Sequence, residues 1–300
     1  MLSANDLRKV ASRSGARDIV NVEIDVILTY LLQLFVVRGV MNHIAFKGGT
    51  MLRKMVFGPR GRLSTDLDFT CCSDIKLDDL MIMMLDALGQ PFHGLSFRFD
   101  KDKDWYMTDD GCAANPVCFH DANPKGQKIK LQVSTREQPV LPVRPVEQIK
   151  QDYFNLLPFV PSAIASLAFE EVIAEKIRAA SQRSKIRDLH DLSEIAGRPI
   201  NRELVRSITV LKLWNSGGEG LNYERFSERV RGSADYEIAD LANLLRKDQN
   251  PDLARMINRV VESYRFLHDL TDEERILAED HSNKRYREAA SLIEKVRFAA

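Results

Sequence analysis

Two aspartates set two residues apart, Asp66 and Asp68, are the side chains of this sequence best suited to chemistry. They lie in the run Ser64-Thr65-Asp66-Leu67-Asp68-Phe69. On an extended strand side chains alternate, so both carboxylates share one face while Leu67 and Phe69 turn to a core. Paired carboxylates suit a hard divalent cation such as Mg²⁺, which often takes only one or two of them and fills its remaining positions with phosphate and water. An anion-binding element precedes them in Phe46-Lys47-Gly48-Gly49-Thr50. Two glycines let the backbone approach an anion with no Cβ in the way, and the N–H groups opening the next helix, Thr50 to Phe57, face it. The pairing points to nucleotide chemistry.

These residues need strands and helices to hold them. A short apolar run, His43 to Phe46, reads as the strand before the glycines. Upstream, Ser3 caps a first helix to about Ser12, and a strongly apolar helix runs from Ile19 to Arg38, ended by Gly39. The loop Gly58-Pro59-Arg60-Gly61-Arg62 aims two cations near the carboxylate strand. Leu77, Leu80, Met81, Met84, Leu85 and Leu88 recur at spacings of three and four, which predicts an amphipathic helix from Asp74 to Leu88. From Gly94 to Val133 the period changes to two, with a charged loop at Lys101 to Asp104 and a turn at Asn123-Pro124-Lys125-Gly126. This stretch reads as a meandering antiparallel extension of the sheet. Five prolines between Pro139 and Pro161 mark a boundary. Beyond it no strand is expected, only helices near Ser162–Arg183, Arg187–Ala196, Asn201–Trp214, Tyr223–Arg231, Tyr236–Lys247, Asp252–Leu267 and Thr271 to the end, punctuated by Gly217-Gly218 and Asn250-Pro251. The expected class is α+β, with a mixed sheet and helices in an N-terminal domain (1–150) and a helical bundle after it (151–300).

Composition narrows the setting. The 300 residues carry 43 basic and 43 acidic side chains, a formal charge of zero, so any nucleic-acid contact must use local patches. Such patches are Arg53, Lys54, Arg60 and Arg62; Arg178, Arg183, Lys185 and Arg187; and Lys284, Arg285 and Arg287, each more often just solvated surface. Cys71, Cys72, Cys112 and Cys118 form no C-x-x-C pair and read as reduced thiols. The first residues lack a signal-peptide apolar core, and the run Val26 to Val37 falls short of the roughly 20 residues of a membrane span. A cytoplasmic protein with no membrane partner is expected.

The order of strand, Gly-Gly-Thr, helix and D-x-D strand is that of the nucleotidyltransferase superfamily. With Lys47 before the glycines and Ser64-Thr65 before the aspartates, the pattern K-G-G-T then R-x-S-T-D-L-D-F resembles the AbiEii/AbiGii toxin family of abortive-infection and toxin–antitoxin systems. A second pair of segments agrees: Glu170-Glu171-Val172-Ile173-Ala174-Glu175-Lys176, then Arg187-Asp188-Leu189-His190-Asp191-Leu192. Lys176 falls amid an apolar arc of Ala165, Phe169, Val172, Ile173 and Ala180, costly unless its ammonium meets a carboxylate or an anion. Asp188 and Asp191, at i and i+3, read by spacing alone as a solvated face or a cap.

The resemblance implies a nucleotidyltransferase that moves a nucleoside monophosphate from a nucleoside triphosphate to an RNA acceptor, tRNA in particular, releasing pyrophosphate and blocking translation. It implies Mg²⁺ (or Mn²⁺) on Asp66 and Asp68, and nucleotide phosphate at Lys47, Gly48, Gly49, Thr50 and Ser64. Lys176 would contact the triphosphate, with Asp191 orienting Lys176 or the acceptor. A cognate antitoxin is the implied partner. One departure concerns the strand Lys128 to Thr135, where enzymes of this fold usually present a third carboxylate and this chain has Gln132. Two alternatives stay open: transfer to a protein or small molecule, and nucleotide or RNA binding without transfer.

Overall fold

The computed structural model describes residues 1–100, 103–108, 110–217, 219–232, 234 and 236–299. Lys101 and Asp102 of the charged loop, and Gly218 of the Gly-Gly pair, lie outside the described residues. Two compact units form, neither of them one continuous stretch: Met1–Gln138 with Val143–Ser166 and Asn243–Gln249, and Pro139–Pro142 with Leu167–Ala242 and Asn250–Ala300.

The first unit opens with α1 (Ala4–Ser14), whose N-cap Ser3 accepts from the Asp6 N–H and which stops at left-handed Gly15. Helix α2 (Ile19–Val37) starts from an Asp18 cap. It is long and apolar enough for a membrane span, yet 78% of that stretch is buried inside the protein, with Val26, Ile27, Leu28, Leu31, Leu32, Leu34 and Phe35 wholly covered. It is the core helix of this unit.

Next come β1 (Ile44–Lys47), α3 (Gly48–Met51) and β2 (Asp66–Cys71), with α4 (Leu77–Leu88) after them. The expected helix after the glycines changes character midway, because α3 runs on into a π-helical turn over Leu52–Phe57. Six further strands follow: β3 (Ser96–Arg98), β4 (Trp105–Thr108), β5 (Gly111–Ala114), β6 (Val117–His120), β7 (Asn123–Lys128) and β8 (Lys130–Ser134). They do not form one meander. β4, β5 and β8 join the main sheet, and β8 lies parallel to β2, while β3, β6 and β7 make a separate three-stranded sheet. Alternation specifies that a segment is a strand and which face is apolar, but not its partner, and a parallel pair needs a long crossover. Here the crossover contains α4 and the small sheet. Asn123 to Gly126, expected as a turn, belongs to β7.

Two strands also lie where none was expected, β9 (Arg144–Val146) and β10 (Ile164–Ser166). Each has three residues, too few to display a period, and β10 is made by its neighbours: it pairs parallel to β1 (Phe46 beside Ser166) and antiparallel to β9. Ala165 therefore sits on a strand, not on the lysine-bearing helix. The main sheet has the order β4-β5-β8-β2-β1-β10-β9. The late segment 243–249 completes this unit: the Leu63 N–H donates to the Leu244 carbonyl at 2.8 Å, the Lys247 N–H to the Gly15 carbonyl at 2.8 Å, and the Gln249 amide to the Arg60 carbonyl at 3.1 Å.

The second unit is helical: α5 (Phe169–Gln182), α6 (Ile186–Ile195), α7 (Arg202–Asn215), α8 (Tyr223–Arg231), α9 (Ile238–Ala242), α10 (Leu253–Ser263), α11 (Asp272–Ala278) and α12 (Tyr286–Ala299). Asn201, Asn222, Asp252 and Thr271 cap four of them through their side chains. The expected last helix is broken, because Asp280 gathers the Trp214 indole and the N–H groups of Lys284 and Arg285 into a turn between α11 and α12. Buried Glu171 on α5 accepts from the N–H groups of Val140 and Leu141 at 2.9 Å each and meets the Lys212 ammonium at 2.7 Å. That carboxylate fastens the short Pro139–Pro142 segment to this unit, which accounts physically for one glutamate of the Glu170-Glu171 pair.

Candidate active site

Strands β1 and β2 run antiparallel with Lys47 beside Asp68 and Phe46 beside Phe69. Paired residues share a face, so the phenyl rings, 5.6 Å apart, pack inward while Lys47 and Asp68 stand together on the other side. Along β2 the alternation is the expected one: Leu67 and Phe69 are buried, and Asp66 and Asp68 are half-buried.

The two glycines are required for different reasons. Gly48 has φ +80°, and a Cβ there would stand 2.3 Å from Asp68 Oδ2, so both conformation and space exclude other residues. A Cβ on Gly49 would stand 2.5 Å from the Arg62 guanidinium and 3.3 Å from Ser64 Oγ. The Thr50 hydroxyl donates to the Asp66 carbonyl, and Ser64 Oγ donates to Asp66 Oδ1 at 3.0 Å. Lys47, Gly48, Gly49, Thr50, Ser64, Asp66 and Asp68 are thus brought together on the β1–β2 hairpin. Buried Arg62 stands with them.

The parallel neighbour β8 sets Lys130 beside Asp66 and Gln132 beside Asp68. The place where a third carboxylate would sit therefore holds an amide. Among the described residues no three His, Cys, Asp or Glu side chains are grouped to share a metal ion. Asp66 and Asp68 fit one Mg²⁺ that draws its other ligands from phosphate and water; an all-carboxylate cage for two ions is not met.

The sequence pattern hid a buried cluster directly behind the glycines. Arg53 and Lys54, grouped above among surface patches, are interior: Lys54 is 0% exposed and Arg53 5%. The π-helical turn directs Lys54 into the core, where its ammonium shares its three donors among four oxygens within hydrogen-bond distance: Asp25 Oδ1 (3.0 Å), the Asp25 carbonyl (3.0 Å), Thr29 Oγ1 (2.9 Å) and the Tyr153 hydroxyl (3.0 Å). Tyr153 in turn donates to Asp25 Oδ2 at 2.9 Å. Burial alone would raise the Asp25 pKa, but Lys54 and Arg53 beside it, with the Lys54 and Tyr153 hydrogen bonds, hold it below the usual carboxylate range. Burial draws Lys54 downward, with Asp25 opposing, and burial raises the Tyr153 phenol. Arg53 also reaches back to the carbonyls of Gly58 and Gly61, so one basic pair fixes both the core end and the loop end of the turn. The available signal was Asp25 at the mouth of an apolar helix, a charge that needs a partner.

In the helical unit, Lys176 lies on α5 among buried Val172, Ile173, Ile177 and Ala180. Its ammonium is 2.9 Å from Asp188 Oδ1 and 2.8 Å from Asp191 Oδ2. Asp188 Oδ2 also accepts from Arg183 Nε at 3.0 Å. The two aspartates are 3% and 1% exposed, so the solvated-face reading of that pair is corrected. The apolar arc of α5 buries the lysine, and the lysine draws both carboxylates in with it. For Asp188, burial raises the pKa, but Lys176 and Arg183 outweigh it and leave the carboxyl below its usual range. His190 adds a ring nitrogen 3.8 Å from Asp191 Oδ1. Asp188 was the member the motif reading left without a role.

Comparison with known proteins agrees with this geometry. Residues 30–279 match the family model described as nucleotidyl transferase AbiEii toxin, type IV toxin–antitoxin system. MenT4, a nucleotidyltransferase toxin from Mycobacterium tuberculosis H37Rv, superposes with a TM-score of 0.84 at 26% identity, covering 99% of this chain and 100% of that one. JHP933 from Helicobacter pylori aligns with a TM-score of 0.46 at 19% identity over 81% of this chain and 92% of its own. No curated protein sequence matches. A motif order that fits, a carboxylate hairpin with its glycines locked against it and a family match across most of the sequence converge: the chain belongs to the AbiEii nucleotidyltransferase toxins of type IV toxin–antitoxin systems.

Proposed function

We propose that this toxin transfers a nucleoside monophosphate from a nucleoside triphosphate to an RNA acceptor, tRNA in particular, in the cytoplasm, and is restrained there by a cognate antitoxin. The observation that carries the reading is the register that sets Lys47 beside Asp68 with Gly48 locked against that carboxylate. In the transfer, the acceptor oxygen bonds to the α-phosphorus, the bond to the bridging oxygen breaks, and pyrophosphate leaves. The hydroxyl proton goes to a carboxylate, drawn from Asp66, Asp68 and Asp191.

Catalysis of this kind is positioning and charge neutralisation more than covalent chemistry. Gly48, Gly49, Thr50 and Ser64 cradle phosphate, and Lys47 offsets its charge. Asp66 and Asp68 would hold Mg²⁺ or Mn²⁺, which when bound supplies further neutralisation at phosphate. To Lys176 and Asp191 the reading gives the roles implied by the family: an ammonium for the triphosphate, and a carboxylate that orients it.

The test is transfer of label from each α-labelled nucleoside triphosphate, with Mg²⁺, to total RNA and to total protein, comparing wild type with Asp66→Ala. Label on tRNA from one nucleotide, lost in the variant, is expected. Label on protein alone would refute the RNA acceptor. A protein that transfers nothing yet stays toxic as Asp66→Ala would refute transfer itself and leave binding as the function, the outcome Gln132 would then explain.

A further inference from the structure

In-line displacement at phosphorus demands that the leaving group and the incoming hydroxyl lie on opposite sides of the α-phosphorus. The sheet gives those sides a physical meaning. In the order β8-β2-β1 the carboxylates occupy the middle strand. Within this unit the groups assigned above to phosphate stand on the β1 flank: Lys47 and the two glycines, with Arg62 and Ser64 packed against Gly49. The opposite flank is β8.

Strand β8 shows clean alternation, with Leu131 and Val133 buried and Lys130, Gln132 and Ser134 on the other face. That outer face is the face of Asp66 and Asp68, because Lys130 pairs with Asp66 and Gln132 with Asp68. Lys130 is exposed, and among the described residues its ammonium makes no hydrogen bond or ion pair. It has not turned to the carboxylate beside it, one oxygen of which already takes the Ser64 hydroxyl. A nearby lysine behaves differently: Lys128 pairs with Asp104 at 3.2 Å. Among the described residues Lys130 is thus an uncommitted cation one strand from the metal-type carboxylates, on the flank opposite the glycines.

We infer that Lys130 holds a backbone phosphate of the acceptor RNA next to its reacting hydroxyl, with the Gln132 amide between it and the carboxylates as a hydrogen-bonding partner for the terminal ribose. This rests on the RNA reading above and deepens it. A lysine recognises a phosphate as a point charge, without base specificity, so the contact sets where the strand end lies and leaves sequence choice to other residues.

The experiment compares wild type, Lys130→Ala and Lys130→Arg with bulk tRNA as acceptor, varying tRNA and nucleoside triphosphate separately. For Lys130→Ala the KM for tRNA should rise about tenfold, the size of one charge-assisted contact, with the nucleotide KM unchanged. Lys130→Arg should restore most of that loss. The slope of log kcat/KM for tRNA against log salt should become shallower by about 0.7 in Lys130→Ala, one phosphate contact on a single strand. A purely structural role for Lys130 would leave that salt slope unchanged. An unchanged tRNA KM and salt slope in an active Lys130→Ala enzyme would overturn the inference, as would a rise confined to the nucleotide KM, which would put Lys130 in the triphosphate pocket. Failure of the wild type to label tRNA would refute the RNA reading itself and take this inference with it.

Discussion

Replacing Lys54 with methionine is the most direct test of the cluster behind the glycines. Methionine keeps the length and apolar stem of lysine but removes the charge and its three donors. Asp25 is left 1% exposed, with the Tyr153 hydroxyl at 2.9 Å and the Arg53 guanidinium at 3.7 Å. Deleting one partner of a buried ion pair costs about 3–5 kcal/mol. The surviving contacts of Asp25 place this case at the lower end, about 3 kcal/mol. At about 2–4 °C per kcal/mol for a domain of some 150–250 residues, the melting midpoint should fall by roughly 6–12 °C. Urea unfolding followed by circular dichroism measures the cost at constant slope. Adding Asp25→Asn removes the stranded charge, so the double variant should recover about 1–2 kcal/mol relative to Lys54→Met. A single-variant loss under about 1 kcal/mol, or a double variant weaker than the single, would refute the assignment of a charged, mutually dependent pair.

Two other outcomes follow from the geometry. Gly48→Ala forces an L-residue into φ +80° with its Cβ 2.3 Å from Asp68 Oδ2. The variant should lose about 1–2 kcal/mol of stability from the backbone alone, and transfer activity should fall more than a hundredfold because Asp68 is pushed aside; a folded variant of near wild-type kcat would contradict the close approach. In acid, Asp188 and Asp25 both have folded-state pKa values held below the usual range. Their stabilisation is therefore fully present above the ordinary carboxylate pKa and lost as pH falls through the lower folded values, so stability should stay level from neutral to about pH 5 and drop below about pH 4. Asp188→Asn should be less stable at pH 7 and show a shallower acid drop, and a steeper one would reverse the sign of the argument.

Some of this was written plainly in the residues. Asp66 and Asp68 with Leu67 and Phe69 gave strand and face in one stroke, since a period of two leaves little freedom, and Gly48 and Gly49 announced a close approach that the fold then requires. The helices expected over Asn201–Trp214 and Tyr223–Arg231 were equally legible, because helix propensity and its punctuation are local signals. What escaped was non-local. The parallel pairing of β8 with β2, the three-residue β10 and the π-helical turn at Lys54 depend on distant partners that no window of sequence contains. The same holds for Asp188, whose i, i+3 spacing with Asp191 looks solvated until Lys176 is seen between the two.

The segment 243–249 has a consequence in time. The Leu244 carbonyl receives the N–H of Leu63, one residue before Ser64, and Gln249 holds the carbonyl of Arg60. During synthesis the strand with Asp66 and Asp68 emerges first, and the contacts that close the loop leading into it are made by residues translated nearly two hundred positions later. A growing chain of this toxin thus carries its carboxylates in an unfinished loop until residues 243–249 have been made, and a prematurely released fragment ending before residue 243 would lack the part that closes it.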